Sequence, residues 1–151
     1  VSFDLNAICN NLAAKFAAGT IATPTGATAM RKSYGQQPVA APALPAVILE
    51  VVGGEVILAS QAWSGTQNID VVFLVTKAQA DTARADKERQ LWLPALLNAC
   101  WADMDLGLAP NVAKVYPQTW EFTEYLYGGT SYDAIVVHYA VDVRITQAMT
   151  P

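Results

Sequence analysis

The sequence predicts an α+β domain: an antiparallel or mixed β-sheet of about five strands covered by two helices, in the order α-β-β-β-α-β-β, with a long proline-rich arm at 20–45. Three observations predict it. Apolar residues recur every three or four positions in two stretches, one near the start of the chain and one around 93–104, which is helical spacing. Between and after those stretches the apolar residues alternate or run together over short lengths, which is strand spacing. The strands come in consecutive groups instead of alternating one by one with helices, the arrangement of an α+β domain. At 151 residues the chain fits one domain, 1–151, and a domain of that size buries roughly 68–70% of the surface its unfolded chain exposes.

The first helix is "SFDLNAICNNLAAKFAAG", where Phe3, Leu5, Ile8, Leu12 and Phe16 share a face. Ser2 or Asp4 supplies its N-cap and Gly19 its stop. In the arm, Pro24, Pro38, Pro42 and Pro45 interrupt any regular ladder, leaving room for a short strand near Ala29. Connections of this length inside compact domains are uncommon and are functional or disordered, so the arm is a candidate contact surface. "PAVILEVVGGEVILASQ" reads as two short strands turning at Gly53 and Gly54, and "TQNIDVVFLVT" as a third.

The second helix carries Leu93, Leu96, Leu97, Cys100, Trp101 and Met104 on one stripe. Pro94 lacks an amide hydrogen and predicts a bend near Leu93 or a fresh start after "RQLW". Gly107 and Pro110 close the segment. "VAKVYPQTWEFTEYLY" and "YDAIVVHYAVDVRIT" then form a hairpin through "GGTS". Pairing Tyr127 with Tyr132 puts Trp120 opposite Tyr139, Phe122 opposite Val137 and Glu121 opposite His138. Parity places Trp101 and Trp120 in the core, and His138, the single histidine, on the more polar face of the last strand.

Composition narrows the function. Nine basic against thirteen acidic residues give a net charge of −4, the wrong sign for gripping nucleic-acid phosphates. Cys9 and Cys100 lie in apolar helical contexts without CxxC spacing, which indicates buried thiols and a reducing compartment. One histidine and two separated cysteines do not make a zinc site, and "DMDLG" lacks the further ligands of a calcium loop. Neither GxxxxGK[ST] nor GxGxxG occurs. "WSGTQ" and "GGTSY" do not match a nucleophile elbow, and Glu121 and Glu124, three apart on a strand, face opposite sides. No apolar run is long enough to span a bilayer, and the first residues lack a signal peptide's pattern. The expectation is a non-enzymatic protein without metal or cofactor, made in the cytoplasm.

Low charge, 15% of residues, against about 25% in an average domain, marks surface reserved for protein contacts. The candidate contact residues are Arg31, Lys32 and Tyr34 in the arm, Trp63 at a strand-turn junction, and Arg84, Asp86, Lys87, Glu88, Arg89 and Trp92 at the start of the second helix. A solvated helix start held by i,i+3 and i,i+4 pairs is the simpler account of that charge cluster.

The helix "FDLNAICNNLAAKF", the arm ending in "PALPAVILEV", the charged "ADKERQ" leading into "LWLPALLNA", and the closing "YDAIVVHYAVDVRITQ" together resemble a tail terminator of long-tailed, siphovirus-type bacteriophages. The resemblance spans nearly the whole chain and rests on element order, length and texture. It implies a structural virion protein, built in the host cytoplasm, that closes as a homohexameric ring on the head-proximal end of the tail tube. It implies as partners further copies of the chain, a tail tube protein, a neck or connector protein, and genomic DNA passing through the lumen without specific binding. Two alternatives stand beside it: another neck subunit of stopper type, and a small α+β ligand-binding or isomerase-like domain with Asp or His as base. The last predicts His138, Glu121 or Asp70 turned inward among aromatics.

Overall fold

The computed structural model describes residues 4–38, 42–59 and 62–145. The elements are α1 (Leu5–Lys15), β1 (Lys32–Tyr34), β2 (Ala46–Ala59), β3 (Ala62–Lys77), α2 (Thr82–Asn98), β4 (Val112–Tyr127) and β5 (Thr130–Ile145). The fold is α+β, with one mixed sheet in the spatial order β1-β2-β3-β5-β4. β1 runs parallel to β2, and every other neighbouring pair is antiparallel. The predicted element order holds, but two of the five strands are not the predicted ones.

Gly53 and Gly54 do not turn the chain. β2 passes straight through them, with a bulge at Val52, and pairs with β3 along its whole length. Neither glycine has a positive φ. Their lack of a side chain serves close approach instead: a Cβ on Gly54 would lie 2.6 Å from the Thr66 carbonyl oxygen, and one on Gly65 1.9 Å from that of Glu55. A long ladder to β3, itself paired throughout with β5, outweighs the local turn preference of two glycines. The fifth strand is β1, a few residues beyond the site expected near Ala29.

The arm is not a free connection. Arg31 N–H donates to the Pro45 carbonyl, Ser33 Oγ donates to the Ala13 carbonyl at 2.6 Å, and Met30 is buried. Residues 39–41 lie outside the described residues. Helix α1 is capped by Asp4, whose side chain accepts from Ala7 N–H, and it buries Ile8, Cys9, Leu12 and Ala13.

The core lies between the helices and one face of the sheet. Leu49, Ile69, Val71, Phe73, Val137 and Tyr139 meet Phe16 from the α1 end and Trp92 and Leu96 from α2. Phe73 packs on Trp92 with ring centroids 5.3 Å apart, and the Tyr139 hydroxyl donates to the Leu96 carbonyl. Burial on α2 falls on Ala85, Glu88, Trp92 and Leu96, and continues to Cys100. The predicted stripe is therefore rotated, and Trp101 is 77% exposed. Once Trp92 fills the slot above Phe73, four-residue steps lead to Leu96 and Cys100, not to Trp101. The helix runs on through Pro94. Both cysteines are free and buried; burial raises the Cys9 thiol and pushes Cys100 up to about 12, with Lys15 opposing and Asp103 adding to it.

A smaller cluster, Ile48, Val72, Leu74, Tyr132, Ala134 and Val136, occupies the opposite sheet face and is edged by Tyr34, Leu44, Tyr125 and Tyr127. The β4–β5 turn is the pair Gly128 and Gly129, with φ of 58° and 81°, as a two-residue type I′ hairpin requires. It sets Tyr127 opposite Thr130, not Tyr132, so Trp120 faces Val137, Phe122 faces Ile135 and Thr119 faces His138. Over Thr119–Tyr127 the offset from the expected register is even, so those side chains keep their predicted faces; over Lys114–Pro117, before the irregularity at Pro117/Thr119, it is odd, which turns Val115 to the helix side opposite Val141, where it is buried.

Candidate assembly surface

The arm and the start of α2, predicted as two contact patches, meet each other within the chain. Glu88 is 5% exposed. Its carboxylate accepts from the Thr28 backbone N–H and from Thr28 Oγ1, all at 3.0 Å. Trp92 Nε1 donates to the Thr28 carbonyl at 3.2 Å, and Arg84 Nη2 donates to Thr28 Oγ1 at 3.3 Å. A buried carboxylate requires such donors, and the backbone and hydroxyl of the arm's Thr28 supply them. Glu88 and Trp92 are thus internal fasteners, a correction to their place among the contact candidates. Arg89, half-buried, pairs with Asp86 at 2.6 Å and lies over the Phe122 ring at 5.2 Å, which ties α2 to β4. Arg31, Lys32, Arg84, Asp86 and Lys87 are exposed, and Tyr34 is half-buried beside Lys32. The Trp63 side chain lies outside the described residues.

Exposed apolar surface gathers elsewhere, at the two edges of the sheet. β1 covers β2 only at Ala46–Ile48. Beyond that point the outer edge of β2 has no strand beside it among the described residues, and Val51, Val52, Val56, Ile57 and Leu58 are exposed, Leu58 at 76%. Glu55 is the one charged residue in 51–59. The other edge is β4. Its first part is closed: Val115 N–H donates to the Met104 carbonyl, and Pro117 has no N–H to offer. From Gln118 onward no strand lies beside it among the described residues, and Trp120 (47%), Phe122 and Leu126 (67%) are exposed. Trp120 is therefore not core, because β4 carries it past the cover of α2. Folded proteins usually guard such edges with charge, proline or short strands, and contiguous exposed apolar surface marks a contact site.

Sequence reasoning missed both edges. The signal was present in "EVVGGEVILA", which is apolar on both parities: a strand of that kind is either covered on both faces or waiting for a partner, and two helices cannot cover it as well as the rest of the sheet.

His138 lies on the face away from the helices, its side chain 37% exposed. Its Nδ1 is 2.6 Å from Asp70 Oδ1, directly across β3, and its Nε2 is 3.6 Å from Glu121 Oε1. The imidazole sits between the two carboxylates on an open sheet face. His138→Gln is expected to change the unfolding free energy by no more than about 1 kcal/mol, the net worth of a typical hydrogen bond, measured by urea denaturation at pH 7.5. Nearby, the Tyr125 hydroxyl donates to Glu50 Oε2 at 3.0 Å. Burial, reinforced by Glu50, pushes that phenol up to about 12. Raising the folded value above the ordinary phenol value of about 10 makes the contribution fully present below pH 10 and lost as pH climbs toward 12. Tyr125→Phe is accordingly expected to flatten the fall in melting temperature between those limits.

Among the described residues no group of three or more His, Cys, Asp or Glu side chains is arranged to hold a metal ion. No helix among them is long and apolar enough to cross a membrane. No protein-family model matches the chain, and no curated protein matches it.

Proposed function

We propose that the chain is a structural subunit of a long-tailed phage, a tail terminator whose copies close as a ring, a hexamer, on the head-proximal end of the tail tube. There it stops tube polymerisation and joins the tail to the neck, with the genome passing through the lumen and the ring assembled in the host cytoplasm. The observation that carries this reading is the pair of unlike, open, apolar edges on one subunit, 51–59 and 118–127. A closed ring of identical copies requires two different, mutually complementary patches on each, whereas a two-fold dimer requires one self-complementary patch. The element order and texture that resemble tail terminators support the same reading, and an acidic balance of −4 suits a lumen that DNA slides through without sticking.

Light scattering across a concentration series, followed by negative-stain imaging with and without purified tail tubes, tests it. Rings of about six subunits, free or capping tube ends, support it; rings that bind connectors but ignore tubes favour a neck subunit. The Asp70–His138 pair is the observation that favours a ligand-binding or isomerase-like domain instead. A compact monomer whose melting temperature rises with a small molecule, an effect lost in His138→Gln, would establish that reading in place of the ring.

A further inference from the structure

We infer that copies of this chain join edge to edge as one continuous sheet, β4 residues 119–127 of one copy pairing antiparallel with β2 residues 51–59 of the next. The inference rests on the ring reading above and names the contact that builds it.

Strand direction sets the antiparallel sense. β2 and β5 run one way, β3 and β4 the other. A neighbour placed with its helices on the same side and its strands in the same sense therefore sets its β2 antiparallel to this copy's β4. The open stretches, 51–59 and 118–127, are nearly equal in length, and each is bounded by a structural stop. On β2 the lower bound is β1; on β4 the upper bound is Pro117 and the Val115–Met104 bond.

Backbone alternation fixes which amides are free. The Pro45 carbonyl points outward, toward Arg31. Alternation from there, shifted one residue by the bulge at Val52, turns the amides of Gly54, Val56 and Leu58 outward. The closeness of the Glu55 carbonyl to Gly65 agrees, since it points inward to β3. On β4, Val115 N–H points outward. Alternation from it, shifted by the irregularity between Pro117 and Thr119, turns Trp120, Phe122 and Glu124 outward. One register satisfies both sets: Leu58 beside Trp120, Val56 beside Phe122, Gly54 beside Glu124. It also places apolar side chains together on the helix side, and it sets Glu55 directly beside Thr123 and Glu121 beside Ile57.

The same register delivers the neighbour's Leu126 to the end of β1. There a cleft of about 360 Å³ is lined by Leu5, Cys9, Gly35, Gln36, Leu49 and Val51, among others. Leu126 sits on the helix side, 67% exposed, at the height of Val52, and the cleft receives it. The two open stretches lie toward opposite ends of the sheet, so each copy is staggered along the strands relative to the last. Such a stagger is what closing a sheet into a barrel demands.

Cross-linking tests the register. In a hydrogen-bonded antiparallel pair the Cα atoms stand about 5.5 Å apart, within disulfide reach. The double variant Val56→Cys/Phe122→Cys, oxidised at the concentration where light scattering finds oligomers, is expected to give a ladder of disulfide-linked multimers in non-reducing electrophoresis. Each single variant should give dimers at most, the native cysteines being buried. Leu126→Glu is expected to weaken association at least tenfold while leaving the melting temperature within about 2 °C, as for an exposed substitution. Oligomers that form normally but do not cross-link in the double variant overturn the seam and leave the ring reading standing. A monomer at every concentration, with tail tubes present or absent, overturns both.

Discussion

Trp92→Ala is expected to lower the unfolding free energy by about 3–5 kcal/mol, the range for truncating a fully buried large aromatic residue. Trp92 is 0% exposed, packs on Phe73 across the helix–sheet contact, and donates its indole N–H to Thr28. Its loss removes the largest side chain of the core and frees the backbone carbonyl that fastens the 20–38 segment to α2. The matched control is Trp101→Ala nine residues along the same stretch. Trp101 is exposed, so its truncation should stay within about 0.5 kcal/mol. Urea denaturation of the two variants side by side decides the matter: equal losses would mean that the helix is rotated about its axis from the orientation described.

Gly65→Ala is expected to be the most damaging single-methyl change on the sheet, at about 1–3 kcal/mol as for overpacking. The new Cβ would lie 1.9 Å from the Glu55 carbonyl oxygen. The obstacle is backbone, so no rotamer change relieves it, and β2 must part from β3 around Glu55 and Val56. Gly53→Ala is the control, since nothing lies within 4 Å of a Cβ there. Because the β2 edge that moves is also the proposed contact edge, Gly65→Ala should abolish association at protein concentrations where its far-UV dichroism is unchanged. A Gly65→Ala protein that both melts and assembles like the parent would show that the two strands stand further apart at this point.

Much of the fold was legible because periodicity reports burial. The α1 face Ile8, Leu12 and Phe16 was readable from three- and four-residue spacing, and all three are core. The face of His138 followed from parity along β5, and parity survived a register offset of two residues because the pleat repeats every two. What failed was competition between local and long-range preferences. Two adjacent glycines favour a turn in isolation, but the ladder from Ala46 to Ala59 against β3 uses them as flat spacers. Trp92 on α2 and Trp101 just beyond its end carry the same hydrophobicity, and only the position of Phe73 beneath the helix decides which is inside. The charged run around Glu88 suggests a solvated helix start or a subunit contact, and either would leave its carboxylate on the surface. Its partner, Thr28, lies 60 residues earlier in the chain, beyond the reach of any local pattern. The open edges had a signal, apolar residues on both faces of a strand, but it becomes informative only when the number of covering elements is known.

The spatial order β3-β5-β4 places β5 between two strands made before it. During synthesis, β4 therefore has no neighbour to hold it, and β2 and β3 form at best a hairpin, until β5 leaves the ribosome and slots in. The outer edge of β4 exists as an edge only from that moment. Formation of that edge and closure of the sheet thus coincide in time: a chain still lacking β5 presents no formed β4 edge for the proposed seam, so the order in which the strands are made would itself keep such chains out of it.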